Sequence, residues 1–279
     1  MTVLLLGSTG MLGHEIKQAH PDWWAPSKSE LDLLTQDWTT LEKRPVFVVN
    51  CAAFTAVDAA ESQEAEAMAL NAAAVGRLAE WCHAEKISLI HISTDFVFDG
   101  SSATAYVETD ATAPLGVYGK SKLLGEQLIA ESGCKAWVIR TSWLYGPKGK
   151  SFPRTILGAW DRGVDLKVVN DQTGCPTDCK TVVAAVTKIV ETTPEPGVYH
   201  IAGPEAMTWH EFAVKVIAKA EDFPEGSIRS RIKAIPTSEY PTPAVRPKNS
   251  VLNCAKAKQA GIYQPTPLDK AIEAFTKAI

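Results

Sequence analysis

The stretch that decides the fold is TVLLLGSTGMLGHEI, which occupies residues 2–16. Its apolar run, Thr2–Leu6, predicts a buried strand that passes into a glycine-rich turn and then into helical spacing. Gly7 permits the tight turn, Gly10 lets the backbone approach a pyrophosphate, and Gly13 lets the helix pack closely on the strand. Because the N–H groups of that helix would point at phosphates, the spacing G-x-x-G-x-x-G predicts a dinucleotide-binding βα unit.

Beyond this unit, short apolar runs alternate with helical stretches through the first half of the chain. The predicted strands are Val46–Asn50, Ser88–Ser93 and Ala136–Arg140, and the predicted helices are Glu64–Glu85 and Tyr118–Ser132. Strands that alternate with helices favour a parallel sheet covered on both faces. The sequence therefore predicts an α/β fold with a Rossmann-like, doubly wound parallel sheet.

The second half contains more prolines and shorter elements. Val198–Ile201 predicts a strand, and Thr208–Ala220 predicts a helix. Thr208 and Glu211 stand at the spacing of a capping box, which marks the start of that helix.

A change in character near Tyr145 suggests how the chain is divided. We predict a dinucleotide-binding domain over residues 1–145 and a smaller C-terminal α/β part, mainly 146–279, that binds substrate. Residues 171–193 are expected to return and pack on the first domain.

Composition excludes several function classes. The 279 residues are 46% hydrophobic and 22% charged with a net charge of −4, so the overall field does not attract nucleic acid or an anionic membrane. The apolar stretch near the start, Val3–Leu6, is too short for a signal peptide or a membrane span. Six cysteines are scattered without metal-ligand spacing and predict reduced thiols. We expect a cytoplasmic monomer or homodimer with no metal site.

The cofactor choice depends on the loop where a second strand would end. An acidic residue there would favour NAD, but this chain has Ser27, Lys28 and Ser29 and no carboxylate before Glu30. Lys28 could meet a 2′-phosphate, which favours NADPH and leaves NADH open. The alternative is that Lys28 is a solvated loop charge.

Tyr118 and Lys122 begin the strongest helical segment of the chain. Residues four apart lie on one helix face, so the hydroxyl and the ammonium can converge on one site. A nearby ammonium is expected to lower the pKa of the tyrosine, which would help it donate a proton to a developing alkoxide. The alternative is a helix start with a surface tyrosine and an exposed lysine.

Ser93, Thr94 and Asp95 directly follow an apolar run. They are therefore expected at the carboxyl end of a parallel strand, where open α/β sheets bind ligands. The Thr94 hydroxyl could hydrogen-bond both a substrate carbonyl and the tyrosine, although such residues often only cap a turn. The glycine turn, Thr94 and the Tyr118–Lys122 pair, in this order, favour a catalytic site.

With these residues the chain resembles the extended short-chain dehydrogenase/reductases and, within them, the dTDP-4-dehydrorhamnose reductase family. The matching segments span nearly the whole chain: residues 7–13, 31–32, 50–58, 93–100, 118–122, 140–146, 171–177 and 246–250. The resemblance implies reduction of the 4-keto group of dTDP-4-dehydro-L-rhamnose, with NADPH as hydride donor and dTDP-L-rhamnose as product.

The resemblance also implies roles for individual residues. Tyr118 would donate the proton, Lys122 would bind the cofactor ribose, and Thr94 would polarise the carbonyl or adjust the tyrosine. The other implied cofactor contacts are Gly10, Met11 and Leu12 at the pyrophosphate, Asp32 and Leu33 at the adenine, and Ala53, Phe54 and Thr55 near the nicotinamide. Asp95 and Trp143 would contact the sugar, and Arg246 the nucleotide diphosphate.

Some positions depart from the family pattern. Lys180 stands where some members have a glutamate that contributes to a metal-linked dimer, and Ser151 stands where an asparagine is frequent. Phe96 occupies the place of the glutamate that a 4,6-dehydratase needs. An epimerase that retains NAD remains an alternative. So does a non-catalytic NADP-binding subunit like the regulatory subunit of methionine adenosyltransferase.

Overall fold

The computed structural model describes residues 2–279. Its strands are β1 (Val3–Leu6), β2 (Phe47–Asn50), β3 (Ser88–Thr94), β4 (Ala136–Thr141), β5 (Leu144–Tyr145), β6 (Lys167–Val169), β7 (Thr173–Gly174), β8 (Thr177–Asp178), β9 (Gly197–His200), β10 (Met207–Thr208) and β11 (Lys233–Ile235). Its helices are α1 (Met11–Ala19), α2 (Val57–Ala60), α3 (Glu64–Met68), α4 (Ala74–Ala84), α5 (Val117–Glu131), α6 (Phe152–Asp161), α7 (Cys179–Thr192), α8 (Trp209–Glu221), α9 (Glu225–Arg229), α10 (Ala255–Gln259) and α11 (Leu268–Lys277).

The main sheet has five parallel strands in the order β1-β2-β3-β4-β9. This arrangement confirms the predicted α/β fold, and each predicted strand lies within two residues of the observed one. On the outer side of β1, the chain returning from α1 forms only a single bridge, between Leu4 and Trp24. The loop after Trp24 is fixed beside the glycine turn because the Ser8 hydroxyl donates a 2.9 Å hydrogen bond to the Pro26 carbonyl.

Helices cover both faces of this sheet, so every residue of β1 is buried. Val3 and Leu5 pack with α1 and α7 on one face, and Leu4 and Leu6 pack with α4 on the other. The segment 171–193 supplies α7, and β9 lies at the far edge of the same sheet. The division into two domains at Tyr145 stays a prediction.

A separate hydrophobic cluster lies in the C-terminal half of the chain. Its core residues come from α6, α8 and α11 together with the short β6–β11 pair, and include Tyr145, Phe212, Ile272 and Phe275. The helix α8 begins as predicted, since Thr208 and Glu211 form the reciprocal hydrogen bonds of a capping box.

The predicted helix Glu64–Glu85 is not continuous. Five residues, Ala69–Ala73, form a π-helical turn between α3 and α4. Inside it the Asn71 side chain accepts a hydrogen bond from the Phe54 backbone at 2.8 Å and donates to the Ser121 hydroxyl at 3.0 Å. Such turns frequently occur at functional sites. Here the turn fixes the loop after β2 against α5.

Two further findings concern residues 2–279. Within that range, no helix combines the length and the hydrophobicity needed to cross a bilayer. The six cysteines are free thiols, and three of them, Cys82, Cys175 and Cys179, are buried.

Candidate active site

A cleft of about 550 Å³ opens at the carboxyl ends of the central strands. Its wall combines the glycine turn, the loop after β2, the end of β3, the first turns of α5 and the segment that follows β4. This is the edge at which open parallel sheets bind ligands. Most of the segments that the sequence singled out therefore meet in one place.

The glycine turn can accommodate only glycine at two of its positions. Gly7 has a φ of +75°, and a Cβ there would lie 2.6 Å from the Ala52 backbone nitrogen. A Cβ at Gly13 would overlap the carbonyl oxygen of Gly7. The first turn of α1 has no side-chain cap and no acidic residue. Its backbone N–H groups are thus available to an anion, which is the arrangement that a dinucleotide pyrophosphate requires.

Thr94 and Tyr118 stand side by side in the cleft. Thr94 closes β3, and its hydroxyl donates to the Asp95 carboxylate at 3.0 Å and accepts from the Phe96 backbone at 3.2 Å. The Tyr118 ring packs edge-on against Phe96, with ring centres 5.7 Å apart and an interplanar angle of 74°. Phe96 therefore orients the tyrosine at the end of β3.

Burial raises the pKa of Tyr118 to about 12, while the Thr94 side chain lowers it and the Asp95 charge raises it further. The expectation that Lys122 lowers this pKa is wrong for the protein alone. The Nζ atom of Lys122 is directed elsewhere, and it donates to the Ile92 carbonyl at 2.7 Å. A pKa of about 12 keeps the hydroxyl protonated at neutral pH, but a general acid works best with a pKa nearer to that pH.

Lys122 is not the exposed lysine of the alternative interpretation, because only 1% of its surface is accessible. Burial lowers its pKa to about 8, against the opposing charges of Glu126 and Cys51. Its Nζ atom lies 3.1 Å from Nε2 of His91, a buried residue of β3.

Asp95 is a second buried acid in the cleft. Burial raises the pKa of its carboxyl to about 6, and the Ser250 and Thr94 side chains oppose that shift. Among residues 2–279, no hydrogen-bond partner satisfies its Oδ2 atom. Buried polar atoms are normally paired, so an unpaired oxygen lining a cleft suits a polar ligand.

Most of the predicted site residues line this cleft, and some do not. Those that do are Gly10, Met11, Leu12, Gly13, Ala53, Thr55, Thr94, Asp95, Tyr118, Lys122 and Trp143. Gly7 and Phe54 lie behind it in the glycine turn and against Asn71. Lys28 is exposed and pairs with Asp32 at 3.7 Å. Leu33 is 3% exposed and packs in the core under α4.

Arg246 lies in a second cavity, of about 330 Å³. Its guanidinium donates two hydrogen bonds to Asp58 of α2, at 3.0 and 2.8 Å. Trp209 lines this cavity and stacks on Trp143 of the first, with ring centres 3.4 Å apart and an angle of 6°. The two tryptophans thus form a wall that both cavities share.

Sequence reasoning missed several residues of this region. Trp209, Asn50, His91 and Lys150 contact or line the site. Trp209 follows the capping residue of α8, where no local pattern marks a ligand site. Gly174 is the one position that could have indicated this wall, because a Cβ at that glycine would overlap the Trp143 ring.

Comparison with known proteins extends these observations. The sequence model of the RmlD substrate binding domain matches residues 1–279. The dTDP-4-dehydrorhamnose reductase of Shigella flexneri is 38% identical over 277 residues, which cover 93% of this chain and 91% of that relative. The solved structure of a dTDP-4-dehydrorhamnose reductase from Clostridium acetobutylicum has a TM-score of 0.90 at 31% identity and covers 99% of both chains. The reductase of Bacillus anthracis, solved in complex with NADP, has a TM-score of 0.91 at 30% identity and covers 100% of this chain and 99% of its own.

Proposed function

Because this chain belongs to the RmlD substrate binding domain family, we propose that it reduces dTDP-4-dehydro-L-rhamnose to dTDP-L-rhamnose with NADPH. The observation that carries the proposal is the union of Thr94, Tyr118 and Lys122 with the glycine turn in one cleft. A cleft with these groups suits hydride transfer to a carbonyl with proton donation to its oxygen.

The cofactor fits the geometry of the glycine turn. The uncapped N-terminus of α1 would hold the pyrophosphate, and Met11 and Leu12 line the cleft beside it. Bound NADPH supplies the hydride. The NADP in the Bacillus anthracis relative supports the choice of NADPH, and the exposed Lys28 is our candidate for contact with the 2′-phosphate. Asp32, its ion-pair partner, would then turn to the adenosine half.

The protein groups complete the reduction at the carbonyl oxygen. Thr94 would hydrogen-bond that oxygen and hold it beside Tyr118. As the hydride adds to C4, the carbonyl π electrons move to oxygen, and this oxygen takes the phenolic proton. Since an alkoxide is far more basic than a phenolate of pKa about 12, the transfer is downhill. The phenolate recovers a proton from solvent, which completes the balance.

The second cavity is our candidate for the nucleotide half of the substrate. Arg246 supplies a local positive charge that the net charge of −4 does not provide. The stacked Trp143 and Trp209 would separate the sugar from the nucleotide. Because Arg246 is paired with Asp58 at 2.8 Å, a diphosphate would have to compete with that carboxylate. We therefore propose that the loop carrying Arg246 adjusts when the substrate binds.

A direct spectrophotometric assay tests this function. Purified protein is mixed with dTDP-4-dehydro-L-rhamnose, and the loss of NADPH or NADH absorbance is followed while the product is identified by mass spectrometry. We expect oxidation of one cofactor for each dTDP-L-rhamnose formed, with NADPH preferred. A protein that carries tightly bound NAD and isomerises its substrate without net cofactor loss would instead be an epimerase. No turnover with bound NADPH would indicate a regulatory subunit.

Replacing Gly13 with alanine is expected to weaken NADPH binding by about 5- to 150-fold. The new methyl group overlaps the Gly7 carbonyl oxygen, so the turn must move, and such overpacking costs about 1–3 kcal/mol. Titration calorimetry with NADPH measures the loss. Gly226→Ala is the matched control, since a Cβ there meets no atom within 4 Å. Equal affinity in the two variants would contradict the proposed role of the turn.

A further inference from the structure

A chain of buried side chains lies behind Lys122. Asn50 and His91 are paired residues of the adjacent strands β2 and β3. The Asn50 amide nitrogen lies 3.1 Å from Nδ1 of His91, and Nε2 of the same ring lies 3.1 Å from Nζ of Lys122. Asn50 and His91 are fully buried. Each polar atom of these two side chains must therefore find its partner within the protein.

The direction of the hydrogen bonds in this series is set at Asn50, the end farthest from Lys122. The Ala52 backbone N–H donates to Oδ1 of Asn50 at 3.0 Å, which identifies the amide oxygen. The other end of the amide is then the NH₂ group, which can only donate, so Nδ1 of His91 must accept. In a neutral imidazole the remaining proton is on Nε2, and this N–H points at Lys122.

Only one protonation state of Lys122 completes this chain. A neutral amine has a lone pair that accepts the Nε2–H of His91, and it donates its own proton to the Ile92 carbonyl at 2.7 Å. An ammonium has no lone pair. It would face an N–H of His91 unless the ring changed tautomer, and that change would set an N–H against the NH₂ of Asn50.

We propose that Asn50 and His91 favour the neutral amine of Lys122 in the resting protein, and that this amine takes up one proton from solvent when the cleft binds NADPH. The new N–H bond uses the lone pair that the His91 N–H had occupied, so that contact is given up. The resulting ammonium then carries a positive charge beside Tyr118 and the bound dinucleotide. Asn50 and His91 are thus positioning residues that act through Lys122. The second half of the proposal rests on the proposed function.

Burial, rather than the neighbouring charges, favours the neutral amine of Lys122. Burial lowers the pKa of Lys122 to about 8, so the neutral amine predominates above that pH, and burial holds the pKa of His91 well below its usual range, so its ring is neutral. On α5, Glu126 opposes the Lys122 shift, but it is itself paired with Arg140 of β4 at 2.7 Å. The other titratable groups nearby are the Cys51 thiol after β2, Tyr118 on α5 and Asp95 after β3.

The tautomer of His91 can be measured without any reaction. In ¹⁵N-histidine-labelled, cofactor-free protein at pH 9, where Lys122 is mainly the neutral amine, proton-coupled nitrogen spectra distinguish a protonated ring nitrogen from a bare one. The chain has six histidines, and the signal that disappears in His91→Gln assigns this one. We expect a proton on Nε2 and none on Nδ1. A proton on Nδ1 would overturn the proposal, and this wild-type result decides it even where a variant fails to fold.

Proton uptake is measured by the heat of NADPH binding in buffers of different ionisation enthalpy. At pH 9 the neutral amine of Lys122 predominates before NADPH binds. The 2′-phosphate is fully ionised at that pH, because its second pKa is near about 6, so it does not contribute. We expect the wild type to take up close to one proton per site. In Asn50→Asp a carboxylate would accept from Nδ1–H, reverse the chain and stabilise the ammonium before NADPH binds, so uptake should fall close to zero.

Asn253→Asp provides the matched control. Asn253 also accepts the backbone N–H two residues later, from Ala255 at 2.8 Å. The histidine that meets its backbone, His200 of β9, lies at the edge of the sheet and is not part of the Lys122 network, so the variant should keep wild-type uptake. Equal uptake in wild type and Asn50→Asp would refute the second half of the proposal. If His91 has the expected tautomer but the protein does not turn over the sugar nucleotide, the proposed function is refuted. The assigned hydrogen bonds from Asn50 through His91 to Lys122 would still stand.

Discussion

Tyr118→Phe is expected to lower kcat for the 4-keto sugar by about 10²–10⁴-fold, the usual contribution of a positioned general acid. The substitution removes one hydroxyl and keeps the ring, whose edge-on contact with Phe96 at 5.7 Å holds it in the cleft. NADPH affinity and thermal stability should therefore remain close to those of the wild type. Steady-state kinetics with dTDP-4-dehydro-L-rhamnose, alongside NADPH titration, measure the two effects separately.

Tyr199→Phe is the control for this experiment. Tyr199 is also a buried tyrosine, but its hydroxyl donates to the Glu195 carbonyl at 2.6 Å on the far edge of the sheet. Its variant should keep wild-type kcat. If Tyr118→Phe also kept wild-type kcat, Asp95 would become the candidate acid, since burial raises its pKa to about 6 and it lines the same cleft.

The glycine turn and the ends of the strands could be predicted because their signals are local. A strand of four apolar residues, a glycine that must adopt positive φ and a hydroxyl at a strand end are each encoded within a few positions. The predicted strand before Thr94 and the start of α8 at Thr208 agree with the structure for this reason. Family resemblance added the chemistry, which spacing alone left open.

The residues that the sequence did not reveal depend on contacts between distant segments. Asn50 meets His91 only through the register of β2 against β3, and Trp209 meets Trp143 only through packing of the two halves. The π turn at Ala69–Ala73 contains Asn71, which meets the distant loop at Phe54 only in the folded protein. None of these pairings leaves a periodic pattern in the sequence.

The pKa of Tyr118 shows how burial can reverse a local argument. The spacing of four correctly places Lys122 on the face of α5 that lines the cleft. It does not show that Nζ donates a hydrogen bond to the Ile92 carbonyl, or that burial is the main influence on the pKa of Tyr118. The sign of such a shift depends on desolvation, which only the folded environment determines.

Glu126→Ala is expected to cost about 3–5 kcal/mol in the free energy of unfolding, because it leaves a charged partner buried without compensation. Glu126 and Arg140 are 6% and 5% exposed, and the guanidinium binds the carboxylate through Nη2 at 2.7 Å and Nε at 3.1 Å. Ser93 also donates to this carboxylate. Urea denaturation of wild type and variant measures the difference.

The double variant Glu126→Leu/Arg140→Met separates charge from packing. Apolar replacement of a buried ion pair is often neutral or stabilising, so the double variant should lose less stability than Glu126→Ala. Glu191→Ala is the exposed control: its partner Lys188 lies 2.8 Å away, but the two side chains are 51% and 37% exposed, and such pairs contribute little. A double variant less stable than Glu126→Ala would mean that the pair itself stabilises the sheet. Arg140 would then contribute to the free energy of unfolding. If the double variant is instead the more stable of the two, as we expect, the main role of Arg140 is to fix the position of Glu126, and with it α5, against the strands that carry the cleft.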